Sequence, residues 1–334
     1  MSEFRQDPVC SEWTLIVPGR AARPNLLKGK KRNRIPAPRE TCPFDNLEKT
    51  GNWPPVAAYP SEKKWRIVVL ENRYPVLTHS DICSFAVKKG LHATMTGVGR
   101  HHLVVTRDHV KNFADIDAAT AENVFAVFQE HCREAASDRC LAYVAPFFNW
   151  GPTAGASVGH PHYQIIALPI VPAHIAYSLA GAAKYYKAHH RCVRCDVIKE
   201  EKTERVRVIA ENRHAIAIMQ YAGRLPFEVR VLPKRHEAYF HKAPREVVGD
   251  VVALVRLVMV RMRKYLGDPD LNFFVHEAPL DKKDHGYHHW HVEIFPRLSV
   301  PAGFEFSTGV YINPADPETA AAVLRGEMKA AKYH

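Results

Sequence analysis

The string His160, Pro161, His162, Tyr163, Gln164 opens the β-type run QIIAL. Side chains at alternate positions of a strand share a face, so His160, His162 and Gln164 are expected to be neighbours. Just upstream, NWGPTAGASVG (Asn149 to Gly159) can bring backbone amides and the Ser157 hydroxyl close to an anion. The chemistry implied is a phosphate held beside an imidazole. A neutral imidazole can attack phosphorus and leave again, which splits one transfer into two steps. Uncharged Gln164 can hydrogen-bond a phosphoryl oxygen as charge develops on it. Taken alone, two histidines on a strand face read as metal ligands or satisfied polar groups. The Gly and Ser approach and the duplicated layout described below turn the reading toward a phosphoryl-directed nucleophile at His162.

Metal chemistry has its own candidates. Cys192, Cys195, His236 and His289 supply two thiolates and two imidazoles, a soft tetrahedral set suited to zinc. The corresponding positions of the first half are Cys42, Asp45, His109 and His160, where a carboxylate, a harder ligand that still binds zinc, replaces the second thiolate. One or two zinc ions per chain are expected; the alternative is buried thiols beside unrelated histidines. His291 and Glu293 stand where His162 and Gln164 stand in the first half. A carboxylate there suits neither the approach of a phosphate nor a neutral nucleophile, so His291 is expected to be structural or to line the substrate pocket.

The elements that must position these residues are duplicated. The first half reads CPFD (Cys42 to Asp45), WRIVVLENRYPVL (Trp65 to Leu77), GRHHLVVTRDHVKNF (Gly99 to Phe113) and GHPHYQIIALP (Gly159 to Pro169). In the same order, the second half reads CVRC (Cys192 to Cys195), RVRVIAENRHAIAI (Arg205 to Ile218), PFEVRVLPKRHEAYF (Pro226 to Phe240) and YHHWHVEIFPR (Tyr287 to Arg297). Each half alternates β-type runs with one long helical pattern, Glu122 to Ala136 or Arg245 to Leu266. The expected fold is α+β: two repeats, 1–175 and 176–334, each an antiparallel sheet packed with a helix, with the seam near Pro172 to His190. A third helix is expected over Pro317 to Lys332.

With 334 residues, 46% of them hydrophobic and 24% charged, the chain has the profile of a folded globular protein. Its formal charge of +11 favours anionic ligands. The single basic run, Lys28 to Arg34, reads as a solvated loop, or less simply as a nucleic-acid arm. The opening MSEFRQDPVC lacks an apolar segment, so a cytoplasmic address is expected. Asp250, Arg256 and Arg261 interrupt the apolar stretch Val247 to Met262, which excludes a membrane span. Seven cysteines in a reducing compartment argue for metal ligation or buried thiols over disulfides.

The motifs resemble the galactose-1-phosphate uridylyltransferases, a duplicated branch of the histidine-triad superfamily. Besides HPHYQ, the resemblance rests on DPVCSEWTLIVPGRAARP (Asp7 to Pro24), the CPF segment, ENRYP around Asn72, TRDHVKNFADI around His109, FFNWG around Asn149 and LPFEVRVLPKRH around His236. It covers nearly the whole chain. The resemblance implies a ping-pong reaction in which His162 takes the uridylyl group from UDP-glucose and galactose 1-phosphate then accepts it. It also implies that His160 is both zinc ligand and, through its carbonyl, orienter of His162. Gln164 and Ser157 would meet phosphoryl oxygens, Arg20 and Arg23 the sugar phosphate, and Asn72 and Asn149 the nucleoside. A homodimer is implied as well.

Asp45, Tyr163 and Ala156 depart from the family pattern, where Cys, Gly and Cys are common. The segment Ala302 to Glu318 is similar instead to the branch containing plant ADP-glucose phosphorylase. An ADP-glucose or dinucleotide phosphorylase, passing an adenylyl group to phosphate through the same residues, is therefore the alternative. A non-catalytic nucleotide or nucleic-acid binding module is the remote one.

Overall fold

The computed structural model of the chain describes residues 1–22 and 38–329. Arg23 and the basic run Lys28 to Arg34 lie outside the described residues. The strands are β1 (Glu3–Gln6), β2 (Trp13–Ile16), β3 (Ala57–Tyr59), β4 (Ile67–Glu71), β5 (Val87–Lys89), β6 (His92–Thr94), β7 (Arg100–Thr106), β8 (Tyr143–Trp150) and β9 (His162–Leu168). Those of the second half are β10 (Val208–Glu211), β11 (Ala215–Met219), β12 (Val229–Pro233), β13 (Leu271–His276), β14 (His291–Pro296) and β15 (Tyr311–Asn313). Ten of them form one sheet in the order β10-β11-β12-β14-β13-β8-β9-β7-β4-β3, antiparallel throughout. Outward from the β8–β13 junction, the two halves repeat the same strand order, so the duplication in sequence is a duplication in space.

The α-helices are α1 (Ala118–Ser137), α2 (Ala173–His189), α3 (Val193–Glu204), α4 (Arg245–Leu266), α5 (Gly303–Thr308) and α6 (Pro317–Arg325). In α1, Ala121, Val124, Phe125, Phe128, Cys132 and Ala135 recur at helical spacing and are buried. In α4, Val248, Val251, Val252, Val255, Met259 and Met262 make the matching stripe. These faces meet one side of the sheet in a core that includes Phe148, Tyr163, Phe273 and Ile294. Strand alternation then sends His162, Gln164, His291 and Glu293 to the opposite face. The α+β expectation and the two main helices agree with the structure.

Four local features differ from expectation. The seam region is helical: α2 is alanine-rich and buries only Ile175, Leu179 and Ala182, too thin a stripe to announce itself as amphipathic. Gly181 on that helix allows the close approach of the N-terminal segment, since a Cβ there would stand 1.8 Å from the Val9 carbonyl oxygen. The third helix stops at Arg325 because Gly326 adopts a left-handed conformation (φ 82°) and its N–H closes back on the last turn. Cys83 and Cys140 are joined in a disulfide, whereas the other five cysteines are free as expected. Finally, β1, β2 and β15 form a small separate sheet with β2 and β15 parallel, so the segment leading to Arg20 is held by the end of the chain. Among the described residues, no helix is long and apolar enough to cross a membrane.

Candidate active site and metal centres

His162 is the first residue of β9, and its position is over-determined. Pairing with β7 sets Val105 opposite His162 and Leu103 opposite Gln164, while β8 sets Phe147 opposite Gln164. The imidazole is 7% exposed and lies against the Phe44 ring at a centroid distance of 5.2 Å. Its Nδ1–H donates to the His160 carbonyl oxygen at 3.0 Å, which leaves the lone pair on Nε2. Burial holds its pKa below the usual imidazole value, favouring the neutral form. A neutral, oriented imidazole with one free basic nitrogen is the form in which histidine acts as a nucleophile.

Gln164 shares that face. The Val76 N–H donates to Nδ1 of His101 at 3.2 Å, so the His101 Nε2–H donates to Gln164 Oε1 at 2.9 Å. This bond fixes the amide through its oxygen and leaves the NH₂ group as its donor. His101 itself carries no motif, and only its position in register with Leu103 and Val105 on the same strand face signals it. Asn72, at the end of β4, lies 3.1 Å from His101 Nε2 and caps the turn by accepting from Tyr74 N–H at 2.9 Å. Tyr163 points the other way, fully buried among Phe113, Phe128, Phe148 and Phe273, so it does not narrow the site.

The Gly-containing approach is braced from the second half of the chain. Asn272 on β13 is the register partner of Asn149 on β8, and its Nδ2 donates to Asn149 Oδ1 and to the Ala154 carbonyl, both at 2.8 Å. Asp270 Oδ2 accepts from Thr153 N–H at 2.8 Å and from Thr153 Oγ1 at 2.6 Å. Gly155 turns the loop with φ 88°, a left-handed conformation that a side chain would strain. Ser157 is exposed on this loop. Arg20 is half-buried in the short turn after β2, and among the described residues no hydrogen bond joins it to His162 or to the loop. Arg23 lies outside the described residues.

Both expected metal sets are assembled, each with its four ligand atoms within 4.8 Å of one another. In the first, His160 Nδ1 is 3.4 Å from Cys42 Sγ, 3.2 Å from His109 Nδ1 and 3.9 Å from Asp45 Oδ2, which also contacts His109 Nδ1. The His160 Nε2–H donates to the Thr106 carbonyl at 2.8 Å, fixing the tautomer that turns the Nδ1 lone pair inward. Asp45 Oδ2 is buried and its contacts are the imidazole nitrogens of His109 and His160, so four donor atoms with lone pairs crowd one point that a cation would occupy. In the second set, His289 Nδ1 is 3.8 Å from Cys192 Sγ and 3.5 Å from Cys195 Sγ, and His236 Nδ1 is 3.6 Å from Cys195 Sγ. The outward N–H groups of these histidines donate to the carbonyls of Pro233 (2.9 Å) and Gly286 (2.7 Å). Cys192 is the N-cap of α3 and Cys195 lies in its first turn, where the helix dipole favours thiolates. The Cys195 hydrogen bond and the facing imidazoles hold the Cys192 thiol well below its usual pKa. Both donor sets fit a tetrahedral cation.

The second half also repeats the histidine relay, with His291 Nδ1–H donating to the His289 carbonyl at 3.0 Å. There the resemblance to the first half ends. Glu293, in the place of Gln164, is bound by Arg230 Nε at 2.6 Å and lies 3.7 Å from Arg224. Its carboxylate is thus committed to the protein's own cations, and His291 and Glu293 line a cavity together with Arg224 and Arg230.

The family model described as a domain of unknown function, DUF4921, matches residues 67–333. ADP-glucose phosphorylase of Arabidopsis thaliana is 33% identical over 329 residues, 97% of this chain and 92% of the relative. Galactose-1-phosphate uridylyltransferase of Thermotoga maritima is 27% identical over 335 residues, 97% of this chain and 98% of the relative. Among solved structures, that of the Arabidopsis ADP-glucose phosphorylase with bound ADP-glucose superposes with a TM-score of 0.82 at 30% identity, covering 97% of this chain and 99% of the other.

Proposed function

The chain belongs to the family of galactose-1-phosphate uridylyltransferase and ADP-glucose phosphorylase, matched by the DUF4921 model, and on that premise we propose that it transfers nucleotidyl groups through a covalent nucleotidyl-His162. The observation that carries this reading is the His160 carbonyl holding His162 Nδ1 at 3.0 Å, which presents Nε2 alone to an incoming phosphorus. His162 Nε2 bonds to the α-phosphorus of a nucleoside diphosphate sugar, the bond to the bridging oxygen breaks, and sugar 1-phosphate leaves. The second substrate's phosphate oxygen then attacks the same phosphorus and releases the imidazole. The Gln164 NH₂ group and the loop around Ser157 supply hydrogen bonds to the phosphoryl oxygens. Asn72 and Asn149 would meet the nucleoside and Arg20 the sugar phosphate, a role the resemblance also implies for Arg23.

Uridylyl transfer from UDP-glucose to galactose 1-phosphate is the reading supported by the uridylyltransferase relatives. Adenylyl transfer from ADP-glucose to phosphate is the second, favoured by the higher identity and close superposition of the Arabidopsis phosphorylase. Both predict exchange of labelled glucose 1-phosphate into the nucleotide sugar with no acceptor present. Exchange with UDP-glucose supports the first, exchange with ADP-glucose the second, and none with either contradicts the covalent mechanism.

Zinc suits both donor sets: Cys42, Asp45, His109 and His160 would hold one ion, and Cys192, Cys195, His236 and His289 the other. Bound there it would cross-link loops and strands, and at the first centre it would lock His160 and hence the carbonyl that orients His162. The halves 1–175 and 176–334 are proposed as the two repeats, the first carrying the transfer site. A homodimer completes the proposal, supported by the exposed apolar side chains Tyr74, Val76, Ile82, Phe85 and Leu91 on one segment.

If the brace from β13 matters, Asn272→Ala should lower turnover by roughly 10–100-fold, as for other positioning contacts. Its melting temperature should stay near that of the parent, because the residue is only half-buried. Steady-state rates beside a thermal melt check this, and unchanged turnover would remove Asn272 from the site.

A further inference from the structure

On the far side of the first metal centre, where β4 starts, β7 ends and α1 begins, Arg39, Arg66, Arg107 and Lys111 line an open cleft. Asp108 and Asp117 line it too, but both are engaged. Asp108 pairs with Lys111 at 3.2 Å, and Asp117 caps α1 by accepting from Thr120 N–H at 2.9 Å and Thr120 Oγ1 at 2.7 Å. Lys111 is paired with Asp108, and Arg39 is shared with Asp45 of the metal set at 3.5 Å, so the surplus of positive charge in the cleft is carried by Arg66 and Arg107. The two central guanidinium groups are placed from a rigid edge. The Arg107 N–H donates to the Arg66 carbonyl at 2.9 Å, and the Arg107 guanidinium lies over the Trp65 ring at 4.9 Å.

A separate observation points to a ligand. Thr106 lines the same cleft, is 1% exposed, and its hydroxyl is buried with no hydrogen-bond partner. Such a donor is costly to leave unpaired, and it stands beside the basic wall. The cleft also adjoins the metal centre through bonded groups. The Thr106 carbonyl accepts from His160 Nε2 at 2.8 Å, and Arg39 lies 3.5 Å from Asp45 Oδ1.

We propose that this cleft binds a phosphate group, free or esterified on a small metabolite, as an anion site separate from the His162 centre. Guanidinium groups match phosphate oxygens in pairs, and the Thr106 hydroxyl supplies a donor from the floor. The test is isothermal titration of the metal-loaded full chain, without nucleotide, using inorganic phosphate and, separately, glycerol 3-phosphate. The paired substitution Arg66→Gln with Arg107→Gln, both on exposed side chains, is expected to weaken this binding roughly tenfold or more, the loss of one or two charge-assisted bonds. Thr106→Val, which keeps shape and backbone, is expected to weaken it several-fold with no fall in melting temperature. Of the binding that these variants lose, the tighter probe names the ligand: inorganic phosphate the free anion, glycerol 3-phosphate an esterified one. Wild-type titration curves in both variants would overturn the proposal.

Discussion

His162→Ala is expected to lower turnover by roughly ten-thousandfold or more and to abolish exchange of glucose 1-phosphate, while bound metal stays at the parent level. The size of the effect follows from the geometry. Nδ1 is committed to the His160 carbonyl, so Nε2 is the one atom of that side chain free to bond phosphorus. Alanine leaves Gln164, the Asn149 to Gly159 loop and both metal sets in place, but no covalent path. The side chain is absent from both ligand sets, so metal content should not follow activity. Loss of its packing against Phe44 should cost about 1–3 kcal/mol, within what a chain of this size tolerates. His160→Ala should differ in kind, because it removes a ligand and disturbs the carbonyl that aims His162. Rates, metal analysis and a thermal melt on the two variants separate these outcomes. Activity of His162→Ala within tenfold of the parent would remove the nucleophile from the mechanism.

Cys195→Ser is expected to cut metal content by about one ion per chain and to lower the melting temperature by roughly 10 °C, because a four-ligand site in the folded state contributes its binding free energy to stability. The second centre ties the start of α3 to the loop after β12 and to the start of β14. Removing one sulfur leaves a buried thiolate facing two imidazoles. The choice of nucleotide should not move, since these ligands lie in the half without HPHYQ. A chelator should reproduce the melting shift in the parent and have a smaller effect on the variant. Full metal content in Cys195→Ser would end the assignment of that centre.

Much of this site was legible in the chain because it depends on short-range periodicity and on duplication. The alternation of HPHYQ puts His162 and Gln164 on one face, whereas the place of Tyr163 among the buried rings of the opposite face came only from the structure. The eight residues of the two candidate metal sets follow from aligning the halves. What stayed hidden depends on long-range pairing. Asn272 reaches Asn149 only because the halves join edge to edge through β8 and β13, a contact no local pattern encodes. His101 fixes Gln164 across the β7–β9 ladder. The Cys83–Cys140 disulfide requires the loop after β4 to return beside the end of α1. Helix α3 was hidden for a different reason: it is polar over most of its length, with its start set by CVRC rather than by an apolar stripe.

The most direct measurement is intact-protein mass spectrometry of the metal-loaded chain mixed with UDP-glucose or ADP-glucose alone, followed by peptide mapping of the modified residue. The expected result is one nucleotidyl group per chain, on His162, from at least one donor, its mass naming the base and its absence from His162→Ala confirming the residue. An unmodified protein with both donors, under conditions where the same sample turns either of them over, would contradict transfer through His162.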